Sequence, residues 1–215
     1  MTPRVWVVVV AAGAGHRFGA AKQFVTLGGR PLVSWSVAAA RPVAEGVVVV
    51  LPGDELDAGH GDLGADAVVA GGATRAASVR AGLAAVPAGA EVVAVHDGAR
   101  PLAPPALFAA VVEAVAAGAD GAVPGLAVAD TLKRVEGGVV RATVARDGLV
   151  AVQTPQAFRA ALLRRAHATG DDGATDDAAL VESLGATVRV VPGDPRNIKV
   201  TTPADLELVR ALAGS

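Results

Sequence analysis

Residues 5–17 read VWVVVVAAGAGHR, an unbroken apolar run followed by a loop of very small residues and then a positive charge. The run from Val5 to Val10 is short and β-branched, which is typical of a strand buried on both faces of a parallel sheet. The small residues that follow allow backbone N–H groups to approach a ligand that larger side chains would block. Arg17 and, slightly later, Lys22 would add positive charge for a bound phosphate. The stretch predicts a strand ending in a nucleotide-phosphate loop, although an ordinary tight turn between strand and helix fits the same residues.

The loop matches neither of two common glycine-rich phosphate motifs. Gly13 and Gly15 have the spacing of a dinucleotide fingerprint, but Gly19 comes one position too late for G-x-G-x-x-G. No acidic residue follows at the distance of about twenty residues where such folds hold a ribose. The Walker pattern is also missing, because Gln23 follows Lys22 and no G-x-x-x-x-G-K is present. The loop alone therefore leaves the class of nucleotide site open.

The composition limits the class of protein. With 215 residues, the chain is long enough for one full-sized α/β domain and too short for two generous ones. The absence of cysteine excludes disulfides, thiol catalysis and cysteine-ligated zinc, and a net charge of −2 does not indicate a nucleic-acid surface. The apolar N-terminal run is too short for a membrane span and lacks the flanks of a secretion signal. We therefore expect a soluble cytoplasmic protein with no nucleic-acid or membrane partner.

Apolar, β-rich runs alternate with helical patterns along the chain. The runs cover residues 5–10, 46–51, 67–69, 91–96, 119–123 and 186–191. The helical patterns cover residues 31–40, 74–86, 104–117, 157–168, 176–184 and 203–212. This alternation predicts an α/β fold, a mainly parallel sheet with helices on both faces. Because ligands of such sheets bind outside the carboxyl ends of the strands, the residues directly after each run are the first candidates for a site.

Residues 130–152, DTLKRVEGGVVRATVARDGLVAV, interrupt the alternation. Two turn signals, at 137–138 and 147–148, are flanked by alternating polar and apolar residues, which predicts an inserted β-hairpin arm. A thin arm is only marginally stable alone, so we expect it to pack on another surface, for which a symmetric partner chain is one candidate. Its basic residues could equally form a solvated face: Lys133, Arg134, Arg141 and Arg146.

Asp97 is the candidate metal ligand. It lies within residues 96–101, HDGARP, directly after a predicted buried strand, where a carboxylate can hold a divalent cation near phosphate oxygens. The alternative is an aspartate that caps the turn before Pro101. Arg100 could pair with Asp97 or orient the loop. His96 is interpreted as a hydrogen-bonded, partly buried histidine rather than a catalytic base.

Two further segments could complete a binding cleft. Residues 71–78, GGATRAAS, follow a strand and open a helix, so the backbone and the Ser78 hydroxyl could recognise the edge of a base while Arg75 buttresses the loop. Thr74 is predicted to cap the helix. Lys199 precedes the last helix, which Pro203 would begin, and could reach back into the cleft. An isolated lysine is nevertheless most often a surface residue.

Eight motifs occur along the chain in a recognisable order: AAGAGHRFG with KQF, GGATRAASV, VHDGARP, DTLKR, TVARDGL, QTPQAF, ATDDAAL and NIKVT. With these motifs the chain resembles the 2-C-methyl-D-erythritol 4-phosphate cytidylyltransferase family of the non-mevalonate isoprenoid pathway, from about residue 5 to residue 212. The specificity comes from the number and order of the motifs. The resemblance implies a Rossmann-like nucleotidyltransferase fold in one domain over residues 1–215. It also implies a homodimer, with the β-arm at about 130–152 as the dimerisation region.

The resemblance further implies a reaction and a set of site residues. CMP would be transferred from CTP to 2-C-methyl-D-erythritol 4-phosphate, giving 4-diphosphocytidyl-2-C-methyl-D-erythritol and pyrophosphate, with Mg²⁺. The implied catalytic residues are Arg17, Lys22, Asp97 and Lys199, with Asp97 also holding the metal. The triphosphate, the cytosine and the ribose would be contacted by Ala11, Ala12 and Gly13, by Gly72 and Ser78, and by Gly98 respectively. The methylerythritol phosphate would be bound by Thr131 and Arg146 of a partner's arm and by Thr154 and Thr175.

Two alternatives stay open. The nearest is a cytidylyltransferase of the same fold that acts on another polyol phosphate, such as ribitol 5-phosphate. The other is a non-catalytic nucleotide-binding regulatory domain, against which the presence of both Lys22 and Asp97 argues. The chain departs from the family pattern at Ala73, where some relatives carry aspartate, and at Ala21, where a proline often precedes the lysine. A cyclase domain, fused downstream in some relatives, is not expected because the chain ends after its last predicted helix.

Overall fold

The computed structural model describes residues 3–13, 22–56, 62–170 and 172–214, and of Lys22 it describes the backbone alone. The first strands in these ranges are β1 (Val5–Val10), β2 (Thr26–Leu27), β3 (Arg30–Pro31), β4 (Gly46–Leu51), β5 (Ala67–Ala70) and β6 (Val92–Asp97). The remaining strands are β7 (Gly121–Ala127), β8 (Leu132–Glu136), β9 (Val139–Val144), β10 (Val150–Val152), β11 (Gln156–Arg159) and β12 (Val188–Pro192). The helices are α1 (Leu32–Ala40), α2 (Arg75–Ala85), α3 (Pro105–Ala116), α4 (Ala160–His167), α5 (Asp177–Glu182) and α6 (Pro203–Ala213). Among the described residues, no helix combines the length and apolar character needed to cross a bilayer.

Strand β1 lies inside an eight-stranded sheet, between β4 and β6, and pairs with both in parallel. The sheet order is β10-β7-β11-β6-β1-β4-β5, and β12 also pairs with β7. Parallel pairing continues from β4 to β5 and from β7 to β12, whereas β10 and β11 run antiparallel to their neighbours. The predicted α/β fold with a mainly parallel sheet is therefore confirmed.

The alternating side chains of β1 divide the core between the two faces of the sheet. Val7 and Val9 pack with residues of α1 and α3 in one cluster, and Val8 packs with residues of α2, α4 and α5 in the other. All three valines are fully buried. Helices on both faces are what a strand of continuous apolar sequence requires. A third, smaller cluster joins α6 to the start of α1.

Two predicted boundaries are wrong in ways that matter for the site. Residues 157–168 were predicted to be helical, but residues up to 159 form β11, and α4 begins at Ala160. Strand β11 lies between β6 and β7, and Ala157 and Phe158 are buried in the cores on opposite faces of the sheet. Because both faces are covered, the strand shows no alternation of polar and apolar residues by which the sequence could reveal it. The strand predicted at 91–96 ends one residue later. Asp97 is therefore its last residue, paired with Val10, instead of the first residue of a loop.

The arm is shorter than predicted. Strands β8 and β9 form the expected antiparallel hairpin, with positive φ angles of 57° and 79° at Gly137 and Gly138 in its turn. Such angles are accessible to glycine without steric cost, as the turn signal requires. Residues 150–152, predicted to belong to the arm, instead form β10 and pair with β7 in the main sheet. The hairpin thus projects from a base that is fixed to the sheet.

We expect Gly82→Ala to destabilise the fold although alanine is the better helix former. A Cβ atom at Gly82, in α2, would lie 2.4 Å from Val8 Cγ1 and 2.9 Å from Val50 Cγ2. Overpacking of this kind costs about 1–3 kcal/mol, which exceeds the gain of about 0.5–1 kcal/mol from helix propensity. Urea unfolding measures the difference. The control is Ala84→Gly at an exposed position of the same helix, which should lose only about 1 kcal/mol through propensity. A more stable Gly82→Ala variant would contradict the close packing.

Candidate active site

A cleft of about 510 Å³ lies beyond the carboxyl ends of the central strands. Its walls come from the loop after β1, the loop between β5 and α2, the end of β6 and the segment before α6. Among the described residues, Asp97 is the only acidic side chain that lines it. Its lining includes Ala11, Ala12, Gly13, Gly72, Thr74, Arg75, Ser78, Asp97 and Lys199.

The loop after β1 is held by close backbone contacts. The N–H of Ala11 donates to the Val50 carbonyl at 2.8 Å, so this N–H is committed to the sheet and the loop's contribution to a ligand starts at Ala12. A Cβ atom on Gly71 would lie 2.3 Å from Ala12 Cβ, and one on Gly98 would lie 3.0 Å from Ala11 Cβ. The small residues are therefore needed for packing between loops as well as for access to a ligand.

The loop before α2 is ordered by its own hydroxyl groups. Thr74 caps the helix by accepting a hydrogen bond from Ala77 N at 3.0 Å, which confirms its predicted role. The Ser78 hydroxyl, 2% exposed, accepts from Gly72 N at 3.2 Å and donates to Thr74 O at 2.9 Å. Ser78 lines the cleft, but its proton is used inside the loop, where it fixes Gly72.

The carboxylate of Asp97 lies among three basic side chains. Lys199 Nζ is 2.7 Å from Oδ2, Arg75 Nε is 3.5 Å from Oδ1, and Arg100 Nε is 3.8 Å from Oδ2. Burial raises the pKa of Asp97, but Lys199, Arg75 and Arg100 together hold it well below its usual value. Asp97 is therefore ionised at neutral pH, as both a metal ligand and an electrostatic anchor must be.

Two contacts bring Lys199 to Asp97 from the far end of the chain. Arg100 donates through Nη1 to the Asn197 carbonyl at 2.7 Å, and Val200 N donates to the Ala99 carbonyl at 2.8 Å. The segment before α6 therefore runs along the loop after β6. Lys199, which the sequence alone could present as an isolated surface residue, is the closest cation to Asp97 among the residues that the structure describes.

His96 and Thr154 form hydrogen bonds that hold Asp97 on its buried side, away from the cleft. Asp97 N donates to Thr154 Oγ1 at 3.0 Å, and this hydroxyl lies 3.1 Å from His96 Nδ1. The other ring nitrogen is 3.3 Å from the Arg100 carbonyl, so it carries the proton and Nδ1 accepts from Thr154. Burial lowers the pKa of His96 to about 4, which keeps the ring neutral. His96 is thus hydrogen-bonded, as expected, and completely buried instead of partly so.

The structure brings some of the predicted site residues together and leaves others apart. Those that share the cleft are Ala11, Ala12, Gly13, Gly72, Ser78, Asp97 and Lys199. Gly98 and Thr154 are buried beneath it, and the Thr154 hydroxyl, predicted to line a substrate pocket, accepts a hydrogen bond from Asp97 N. Thr131, Arg146 and Thr175 are exposed and lie outside the cleft, with Arg146 donating to the Val128 and Ala129 carbonyls at the base of the arm. Arg17 and the Lys22 side chain lie outside the described residues.

Sequence reasoning missed a set of buried amides behind the site. Asn197 is fully buried and donates to the Thr154 carbonyl at 2.8 Å, and Gln153, 7% exposed, donates to the Asp194 carbonyl at 2.9 Å. These bonds fasten the segment that carries Lys199 to the connection between β10 and β11. A signal was present for Gln153 in the QTPQ motif, which leads directly into the buried strand β11, but not for Asn197, and the partners of both lie more than forty residues away.

The comparisons with known proteins agree with one another. A family model described as 2-C-methyl-D-erythritol 4-phosphate cytidylyltransferase (IspD) matches residues 5–214. The enzyme of that name from Deinococcus radiodurans is 49% identical, over 99% of this chain and 91% of that protein. The bifunctional enzyme IspD/IspF of Clavibacter michiganensis is 50% identical over 99% of this chain, which spans 56% of that relative. The crystal structure of 2-C-methyl-D-erythritol 4-phosphate cytidylyltransferase from Thermus thermophilus is 43% identical, with a TM-score of 0.83 over 97% of this chain and 98% of that one.

We expect Asp97→Asn to remove a share of stability that depends on pH. Because the pKa of Asp97 is lower in the folded than in the unfolded chain, its carboxylate stabilises the fold fully above about pH 4, and this contribution is lost as the pH falls further. The difference in free energy of unfolding between the unmodified protein and Asp97→Asn, measured in urea, should therefore be smaller at about pH 3 than at about pH 7. Other carboxylates titrate in both proteins and cancel. Equal differences at both pH values would show that the folded pKa of Asp97 is ordinary.

Proposed function

The chain belongs to the 2-C-methyl-D-erythritol 4-phosphate cytidylyltransferase family, and we propose that its cleft at the ends of β1 and β6 is where the family's reaction takes place. The protein transfers CMP from CTP to 2-C-methyl-D-erythritol 4-phosphate, giving 4-diphosphocytidyl-2-C-methyl-D-erythritol and pyrophosphate in isoprenoid precursor biosynthesis. The main observation that supports this location of the reaction is that Asp97 pairs with Lys199 in the same cleft as the small-residue loop.

CTP would lie across the cleft with its base and its phosphates on different loops. Gly72, held in place by the bond from its N–H to Ser78, offers its carbonyl for the edge of the cytosine. Ala12 and Gly13 present backbone next to the triphosphate, where Arg17 and Lys22 would supply positive charge. Gly98 packs directly against Ala11 and so lets the loops after β1 and β6 meet beneath the place where the ribose would lie.

The reaction needs charge neutralisation more than a general base, since the acceptor phosphate is already an anionic nucleophile. One of its oxygens attacks the α-phosphorus of CTP, the bond from that phosphorus to the bridging oxygen breaks, and pyrophosphate leaves with the electron pair. At about 4 Å and an effective dielectric constant of about 20, each unit-charge repulsion between the two polyanions costs about 4 kcal/mol. Lys199, Lys22 and Arg17 would offset this repulsion and stabilise the charge that builds on the α-phosphate.

The residues of the cleft fit a Mg²⁺ ion that arrives with the nucleotide. Magnesium commonly uses one or two carboxylates together with substrate phosphates and water. Asp97 supplies one ionised carboxylate, and the described part of the chain holds no group of three or more histidines, cysteines or acidic residues that would form a dedicated cage. When bound, the ion would neutralise phosphate charge at the reacting centre. Asp97 is the residue that would hold it.

The arm supports the proposal of a homodimer. Val135 and Val140 lie directly opposite each other on one face of the hairpin and are 53% and 57% exposed, and Val139, next to the turn, is 53% exposed. Exposed valines on a two-stranded hairpin are unfavourable in water unless another surface covers them. A second copy of the chain would cover them, and its arm would deliver Thr131 and Arg146 to the methylerythritol phosphate, with Thr175 on the receiving subunit.

Two broader predictions complete the proposal. We interpret residues 1–215 as one nucleotidyltransferase domain, with the hairpin as its dimerisation region. We also expect the enzyme to act in the cytoplasm, a prediction supported by the absence of cysteine from the sequence.

Pyrophosphate release tests the proposed reaction directly. With CTP and Mg²⁺, we expect 2-C-methyl-D-erythritol 4-phosphate to be used much faster than ribitol 5-phosphate. Lys22→Ala should lower the turnover by about a hundredfold or more, because one phosphate-binding cation is lost, while circular dichroism stays unchanged. The matched control is Arg165→Ala, which removes one exposed charge from α4. Preference for ribitol 5-phosphate would contradict the acceptor, and near-normal turnover of Lys22→Ala would remove Lys22 from the mechanism.

Light scattering after size-exclusion chromatography tests the dimer. Val140→Asp should convert the protein to a monomer, because burying a charge in the shared surface is unfavourable. Val140→Asp should also raise the KM for methylerythritol phosphate, because Arg146 would no longer reach the second subunit. Arg146→Ala should raise the same KM while the protein keeps the molar mass of a dimer. Leu208→Asp, on α6 and 50% exposed, is the control. A dimeric Val140→Asp variant, or an unmodified protein that is already monomeric, would argue against this interface.

A further inference from the structure

Asp177 is a completely buried carboxylate close to the cleft but outside its lining. It is the first residue of α5, and Asp176 before it caps that helix by accepting from Ala179 N at 2.9 Å. Asp177 Oδ1 accepts from His167 Nε2 at 2.8 Å, and His167 is 3% exposed at the end of α4. A buried charge of this kind is costly unless it is paired, so its partners identify what it does.

The other partner of Asp177 is Arg75, which connects it to the cleft. Arg75 Nη1 is 2.8 Å from Asp177 Oδ2, and Arg75 Nε is 3.5 Å from Asp97 Oδ1. Burial lowers the pKa of Arg75, but the nearby Asp177 and Asp97 carboxylates more than reverse this effect, so the guanidinium remains charged. Because a guanidinium is planar and rigid, a fixed carboxylate at Nη1 also restricts the direction in which Nε points.

Gln156 fixes the position of Asp177 relative to the sheet. It lies on β11, beside β6, and is 1% exposed. Its amide donates to Asp176 Oδ2 at 2.8 Å and accepts from Ala178 N at 3.2 Å, so both ends of the amide hold the start of α5. A chain of contacts therefore starts and ends at Asp97. It runs from β6 to the paired strand β11, through Gln156 to the start of α5, and through Asp177 and Arg75 back to the Asp97 carboxylate.

We infer that Asp177, supported by His167 and Gln156, is a positioning residue that acts through Arg75 to orient the Asp97 carboxylate for the reaction. Lys199 holds Oδ2 of that carboxylate and Arg75 faces Oδ1, so the plane of the group is set from two sides. This assigns a purpose to the second aspartate of the TDDA motif and to the second glutamine of QTPQ. The inference rests on the proposed role of Asp97.

A double-mutant cycle on kcat/KM for CTP separates positioning through Arg75 from a structural role. Asp177→Asn and Arg75→Met should each lower kcat/KM by about tenfold or more, and the double variant should be no worse than Arg75→Met alone. His167→Leu should lower kcat/KM in the unmodified background, and His167→Gln, whose amide can still donate to Asp177, should restore it. The matched control is Asp172→Asn, which breaks an exposed ion pair with Arg80 of α2 at 2.7 Å and should leave kcat/KM unchanged.

Thermal unfolding and Asp97→Asn complete the design. The inference would be overturned if the double variant lost kcat/KM by the product of the two single losses. Full activity of Asp177→Asn would overturn it as well. If Asp177→Asn does not fold, His167→Leu replaces it, both alone and combined with Arg75→Met. The combined variant should then be no worse than Arg75→Met, and losses that multiply would overturn the inference. A loss of activity in Asp97→Asn with normal activity in Asp177→Asn would reject the positioning role alone. Normal activity of Asp97→Asn would reject the proposed role of Asp97 and the inference together.

Discussion

Asp97 ends the central strand β6 with its carboxylate among Lys199, Arg75 and Arg100, and the rest of the site is arranged around this concentration of charge. A buried anion of this kind is stable only when cations and hydrogen bonds replace water. Each cation comes from a different element: the segment before α6, the first turn of α2, and the loop after β6. The requirement to neutralise one carboxylate therefore draws distant parts of the chain to the end of the sheet, where a nucleotide can bind.

Small residues serve the same site in a different way. Gly71 approaches Ala12, and Gly98 approaches Ala11, so closely that an added Cβ atom would lie at or below 3.0 Å. The loops after β1, β5 and β6 can therefore form one continuous rim. The cost is that few side chains remain there to bind a ligand. In the proposed CTP complex, most of the recognition of the base would therefore come from backbone groups, which Ser78 and Thr74 hold in place.

The motifs shared with the family divide into two kinds. Residues 11–13 of AAGAG, residues 72–75 of GGATR, and Asp97 and Ala99 of HDGAR line the cleft, and their chemistry can be interpreted from the residue types. QTPQ and TDDA lie behind the cleft, where Gln153, Gln156 and Asp177 bind other protein groups.

The sequence alone determined the α/β class, the strand β1, the hairpin turn and the position of Asp97 beside the end of a buried strand, because these depend on local patterns of apolar and turn residues. It could not place β11, since Ala157 and Phe158 point into opposite cores and show no alternation. It could not distinguish Lys199 from an ordinary surface lysine, or show that Thr154 joins His96 to the backbone of Asp97. Those assignments depend on partners far away in the chain, and only the tertiary structure brings such groups within 2.7–3.1 Å of each other.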